Sequence, residues 1–184
     1  GQPYHATRAE ARAHDIRYLP EEPLRNACAP KMSVAENLAF RMFDEGQGGK
    51  AAFWKDAKAI AKNATDLIAA FKVKTTSPAA RISSLSGGNV QRAVLARELS
   101  GGVKVLIVSN PCFGLDFAAV SAIRDRLVDA RNTGTAILLI SEDLDEIMEL
   151  SDRILVMSEG RIAFETPIAK ADVTEIGRHM AGHN

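Results

Sequence analysis

Two short apolar runs rich in β-branched residues, Val103 to Val108 and Thr135 to Ile140, bracket a segment of a different period. Between them, Phe117 to Arg131 sets Val120, Ile123, Leu127 and Ala130 on one side, the spacing of an amphipathic crossover helix. Strand, helix and strand in that order point to a parallel α/β layer. The runs do not alternate with polar residues, so both are expected to be buried on both faces of the sheet. Beyond them, Glu142 to Leu150 reads as a shorter helix. Arg153 to Met157 and Arg161 to Glu165 read as two strands joined by a tight turn at Ser158-Glu159-Gly160. Asp172 and Glu175 have the spacing of a capping box ahead of a last helix.

The first hundred residues are patterned for helices. Arg8 to His14 suits a short helix, and Ile16 to Leu19 a short strand stopped by Pro20 and Pro23. Residues 21–32 read as an irregular loop. Ser33-Val-Ala-Glu36 has the form of a capping box, predicting a helix from about Val34 to Phe43, broken by Gly46, Gly48 and Gly49. Ala57, Ile60, Ala61, Ala64, Leu67, Ile68 and Phe71 then form one apolar stripe, which Trp54 extends by a turn as a core residue.

Composition removes several functions. Lys+Arg and Asp+Glu balance at 23 each, so the electrostatic case for a nucleic-acid partner is absent. Aromatic residues at 5% leave no platform for stacking bases. The longest apolar runs, such as Ala136 to Ile140, fall far short of the ~20 residues that cross a bilayer. No charged leader with an apolar core opens the chain, so no secretory signal is expected. Cys28 and Cys112 form no CxxC pair and read as free thiols of a reducing cytoplasm. The four histidines have no metal-ligand spacing, and no metal site is expected.

Leu85-Ser86-Gly87-Gly88-Asn89-Val90-Gln91-Arg92 is the strongest local signal. Ser86 is a good N-cap, and two glycines follow at the mouth of a helix that carries Val90, Ala93, Val94 and Leu95. Glycines there let an anion approach the backbone, where free N–H groups and the helix dipole attract phosphate. Taken alone, the segment could equally be a loop that closes a helix start.

The segment resembles the signature motif of the ATP-binding cassette (ABC) ATPases, and other motifs of that family follow in its order. Val105-Leu-Ile-Val-Ser-Asn-Pro111 resembles the Walker B strand, and Gly114-Leu115-Asp116 the D-loop. Leu138-Leu-Ile-Ser-Glu-Asp143 resembles the strand leading to the switch residue. Ser151 to Met157 with Gly160-Arg-Ile is similar to the closing strand pair, and Tyr18-Leu-Pro-Glu21 to the Q-loop approach. The likeness runs from about residue 16 to 168. With Ser33-Val-Ala-Glu-Asn-Leu38 it is nearest to the second cassette of tandem ATPases that drive simple-sugar or nucleoside importers. It implies an incomplete P-loop NTPase core of the RecA-like, α/β type plus an α-helical subdomain. The divisions it implies are a core remnant over 1–20, a helical subdomain over 21–100 and the C-terminal part of the core over 101–184.

No Gly-x-x-x-x-Gly-Lys-Ser/Thr occurs in the sequence. The resemblance places that Walker A loop before residue 1, so the chain is expected to be a fragment, a naturally short protein being the alternative. Where the Walker B strand ends in Asp-Glu in the family, this chain has Ser109-Asn110. A neutral Ser brings no charge to Mg²⁺, and Asn110 accepts no proton from water. A lost general base costs about 10²–10⁴-fold in rate. Glu142 stands at the switch position, where many relatives have His, and Glu21 stands at the Q-loop position. The catalytic positions thus read as degenerate, while the signature is intact. In the family two cassettes pack head to tail, which would bring Ser86, Gly87 and Gly88 to the γ-phosphate of ATP held by a partner. Asn89 and Gln91 would line the same edge, and Asp116 would sit at the dimer seam.

The resemblance therefore implies an ATP-binding part of a bacterial importer, on the cytoplasmic face of the plasma membrane. Its partners would be a second cassette, in the same full-length chain, and transmembrane permease subunits. ATP and Mg²⁺ belong to the full assembly, and none is expected to bind the fragment alone more tightly than ~1 mM, about −4 kcal/mol. Two other readings stand beside this one. A DNA-repair type of ABC ATPase would carry long coiled coils between Glu21 and Leu85, where this chain has only a compact helical stretch. A non-catalytic docking module would use the helices of 33–72, with the loop of 21–33 as the groove for a coupling helix.

Overall fold

A computed structural model describes residues 3–43 and 57–182. Trp54 and the breaking glycines Gly46, Gly48 and Gly49 lie outside the described residues. The chain divides into two compact units, one up to Leu138 and one from Leu139.

The first unit opens with helix α1, Arg8–Ala13, whose start is a capping box between Thr7 and Glu10. Strand β1, Ile16–Leu19, follows. The predicted irregular loop of 21–32 contains a helical turn, α2 (Pro23–Asn26), with Pro23 at its first position, where its fixed φ is already helical. The Ser33 box forms as predicted: Ser33 Oγ accepts the Glu36 N–H at 3.2 Å, and Glu36 accepts the Ser33 N–H at 2.7 Å. It starts helix α3, Val34–Leu38, which tightens into a 3₁₀ turn over Ala39–Phe43. Helix α4 covers Ala57–Ala70 and packs against α3, with Ala64 fully buried on the predicted stripe.

Helix α5, Gly87–Leu99, is the centre of this unit, with Val90, Val94 and Leu95 buried and packing against β1 and α2 to α4. Strand β2 (Val105–Ser109), helix α6 (Phe117–Asn132) and strand β3 (Ala136–Ile140) follow as predicted, within two residues at each end. β1 and β2 pair in parallel with Ile16 opposite Val105 and Leu19 opposite Val108, and the sheet order is β1-β2-β3.

The expectation of strands buried on both faces is not met. In β2, Leu106 and Val108 are buried while Val105, Ile107 and Ser109 are half-buried. In β3, Leu138 and Ile140 are about half exposed. β3 is an edge strand of this sheet, where an apolar run does not by itself secure two covering layers.

In the second unit, helix α7 (Leu144–Leu150), the antiparallel strands β4 (Arg153–Ser158) and β5 (Arg161–Pro167), and helix α8 (Val173–Met180) follow the predicted order. Glu159 and Gly160 both take positive φ in the turn, the geometry of a tight hairpin. Ile154, Val156 and Ile176 form its core with Leu144, Ile147 and Phe164 packed around them. Asp172 caps α8 by accepting the Glu175 N–H at 2.8 Å.

Candidate functional site

The mouth of α5 lies beside the mouth of α6. Ser86 and Gly87 are exposed, and Gly87 and Gly88 have Leu115 and Ala119 as their nearest neighbours. The glycines therefore serve packing as well as access, since the start of α6 sits directly beneath them. At α6 the Asp116 carboxylate accepts the Ala119 N–H at 2.9 Å, a regular N-cap. Phe113 and Phe117 flank Asp116 and are 76% and 89% exposed.

Ser86 occupies the N-cap position of α5, but its side chain makes no capping hydrogen bond, contrary to its reading as a side-chain cap. The reason is Asn89, whose Nδ2 donates to Ser86 Oγ at 2.8 Å. At its other end, Asn89 Oδ1 accepts the main-chain N–H of Lys74 at 2.7 Å. The Gly87 and Gly88 N–H groups, at the first two helical positions, have no intrahelical acceptor and stand at the positive end of the dipole. Together these groups make an exposed, donor-rich helix start suited to an anion. Gln91 is 4% exposed and lies inside the helix packing rather than along this edge.

The segment before the signature is tightly held. Arg126 stacks over the Phe71 ring, 4.7 Å from its centroid, and donates to the Ala70 carbonyl. Arg92 donates to the Lys72 and Ala118 carbonyls at 3.4 Å. A cleft of about 400 Å³ lies between these groups, lined also by Ile123 and Asp129.

The remaining candidate positions fall elsewhere. Ser109 ends β2, and Asn110 follows it at φ 43°, in the left-handed region that Asn tolerates. Glu21 is exposed at the end of the β1 loop, its carbonyl accepting from Asn26 Nδ2 at 2.6 Å. Glu142, in the second unit, is exposed one residue after Ser141, whose hydroxyl donates to the buried Glu146 at 2.7 Å. Ser109 and Asn110 supply neutral oxygens only, which do not fit the charged ligand set that Mg²⁺ takes. Among the described residues no cluster of His, Cys, Asp or Glu is arranged to hold a metal, and no helix is long and apolar enough to cross a membrane.

The loop of 21–33 is pinned from beneath. Asn37 accepts the Ala29 N–H at 2.8 Å and donates to the Ser33 carbonyl at 2.9 Å. Arg97 donates to the Ala27 carbonyl at 2.8 Å and pairs with Glu98 at 2.7 Å, and Glu98 also accepts from Arg41 Nε at 2.9 Å. Burial pushes the Cys28 thiol in this loop up to about 11, with Arg97 opposing and Glu98 adding to the rise. The Asn89–Lys74 link and the Glu98 network escaped the sequence reading. The T-x-x-E pattern at Thr7, by contrast, was there to be read.

Comparison with known proteins accords with this arrangement. The family model described as "ABC transporter" matches residues 1–112. The chain is 38% identical over 169 residues to the glucose import ATP-binding protein TsgD13 of Haloferax volcanii, covering 91% of this chain and 30% of that protein. It is 38% identical to the nucleoside import ATP-binding protein NupA of Lactococcus lactis, covering 92% and 33%. It is 40% identical to the arabinose import ATP-binding protein AraG of Ralstonia nicotianae, covering 89% and 32%. The chain thus spans about a third of the length of these relatives. Among solved structures, the dimeric ATP-binding cassette MJ0796 bound to ADP and Pi superposes with a TM-score of 0.71 at 17% identity, covering 87% of this chain and 66% of that one. The cassette MJ1267 gives 0.67 at 21% identity, covering 92% and 70%. With its fold shared by these cassettes and more than half of its length matched by the family model, the chain belongs to the ABC transporter family.

Proposed function

We propose that this chain is part of the ATP-binding protein of an importer of the simple-sugar or nucleoside type, and that it offers its signature in trans to ATP held by a partner cassette. The observation that carries this reading is the exposed Ser86-Gly87 mouth of α5, where first-turn N–H groups lack intrahelical acceptors, set beside the start of α6 that Asp116 caps. Similarity to glucose, nucleoside and arabinose import ATP-binding proteins supports the transport class. Ser86, Gly87 and Gly88 meet the phosphate, Asn89 and Gln91 stand behind them, and Asp116 faces the seam. ATP and Mg²⁺ act in the assembly and not on the isolated chain.

The site on this cassette's own side is degenerate. Ser109, Asn110 and Glu142, with Glu21 at the Q-loop position, replace the groups that hold Mg²⁺ and polarise water. The partners are a second cassette in the same full-length protein and a membrane-spanning permease, docked over the pinned loop of 21–33. No nucleic acid is involved. The setting is the cytoplasmic face of a bacterial plasma membrane, with residues 1–20 and 101–184 as core and 21–100 as the helical subdomain.

The test is Ser86→Arg in the full-length transporter. A long side chain in place of the Ser86 hydroxyl, covering the start of α5, is expected to lower ATPase activity about a hundredfold, the scale of losing an oxyanion donor. Activity at the wild-type level would overturn the trans reading.

A further inference from the structure

The polarity of one hydrogen-bond chain can be fixed without seeing a hydrogen atom. The Lys74 main-chain N–H can only donate, so the Asn89 atom 2.7 Å away is its oxygen. The other end of the carboxamide is then the NH₂ group, which can only donate, and it lies 2.8 Å from Ser86 Oγ. Ser86 Oγ is thereby an acceptor within the chain. Its own proton is not used by Asn89, and the side chain is not spent on capping α5.

We infer that Asn89 is a positioning residue that turns the Ser86 hydroxyl into an outward donor, directed at an anionic phosphate oxygen. The inference rests on the reading that Ser86 meets a partner's ATP. A hydroxyl free to rotate offers lone pairs to an approaching anion as readily as its proton, and the first is repulsive. With Asn89 donating to it, the hydroxyl presents its proton beside the Gly87 and Gly88 N–H groups, and all three groups carry the same sign. The anchor is rigid, because Val73 is 5% exposed and the carbonyls of Ala70 and Lys72 are held by Arg126 and Arg92.

An aspartate at position 89 separates this role from simple bracing. Its carboxylate still accepts the Lys74 N–H, but it has no donor, so Ser86 must donate inward. In the full-length transporter, Asn89→Asp is expected to lower kcat/KM for ATP at least tenfold while the Lys74 amide stays protected from hydrogen exchange. Combined with Ser86→Ala, which removes the hydroxyl, it should cost no more than about twofold further. Wild-type activity of Asn89→Asp, or full additivity with Ser86→Ala, overturns the inference. If Asn89→Asp loses Lys74 protection, the same cycle with Asn89→Ala decides: non-additivity supports the role and additivity overturns it. Ser86→Arg run alongside distinguishes the two failures, because an inactive Ser86→Arg with an active Asn89→Asp removes only the role of Asn89, whereas an active Ser86→Arg removes the trans reading.

Discussion

Gly88 and Ala119 hold α5 and α6 close enough that a further carbon would be crowded: a Cβ on Gly88 would stand 3.0 Å from the Ala119 Cβ. Ala119 is 3% exposed and fixed to its helix, so no flexible side chain can yield. Gly88→Ala is expected to destabilise by about 1 kcal/mol, overpacking of ~1–3 kcal/mol exceeding the helix-propensity gain of up to ~1. Gly87→Ala meets only Leu115 Cδ2 at 3.8 Å, an ordinary contact, and should be neutral or slightly stabilising. Urea midpoints of the two variants check the contrast, and equal midpoints would refute it.

Glu98 is fully buried and serves Arg41 and Arg97 with one carboxylate. Removing the anion takes the countercharge from two guanidinium groups, one of them 4% exposed and then facing only neutral acceptors such as the Ala27 carbonyl. Glu98→Ala is therefore expected to cost about 3–5 kcal/mol, a large part of a typical domain's 5–15. Denaturant unfolding followed by circular dichroism measures it. A loss below 1 kcal/mol would show that the arginines find other acceptors.

Cys28 should react slowly. With its thiol pushed up to about 11 by burial, against ~8.5 for a free thiol, its thiolate at pH 8 is lower by a factor on the order of a hundred. In a Cys112→Ser background, labelling by a disulfide reagent should lag a small thiol accordingly and recover in denaturant. The folded value is the higher one, so the native state keeps its proton where the unfolded chain has lost it. Stability is thus retained below about pH 8.5 and falls as pH rises toward about 11, a loss that Cys28→Ala removes. Prompt labelling of the native protein would contradict the burial.

What could be read in the sequence was local or periodic. The Ser33–Glu36 box is legible because donor and acceptor lie three residues apart, and the helix of 117–131 because its apolar residues recur on one face. The Asn89–Lys74 bond escapes such a reading. Its donor is a main-chain N–H 15 residues away, and no side-chain type at position 74 announces it. Arg41 and Glu98, 57 residues apart, are joined only by the packing of the first unit. The exposure of Leu138 and Ile140 escapes for another reason: an apolar run reports that a face could be covered, not which layer covers it. At the site, the residue types of 86–88 point to an anion, whereas the Lys74–Asn89–Ser86 chain of hydrogen bonds follows from packing that no local pattern announces.

Phe113 and Phe117 stand almost wholly in water on either side of Asp116. Each ring gains about 1.5–3 kcal/mol when fully covered by an apolar surface, so the pair holds roughly 3–6 kcal/mol of association free energy in reserve. That sum equals a hundredfold or more in a dissociation constant, from two side chains on one short turn. The start of α6 is therefore a point of potential adhesion, and its neighbour Asp116 already spends one carboxylate oxygen on its own helix.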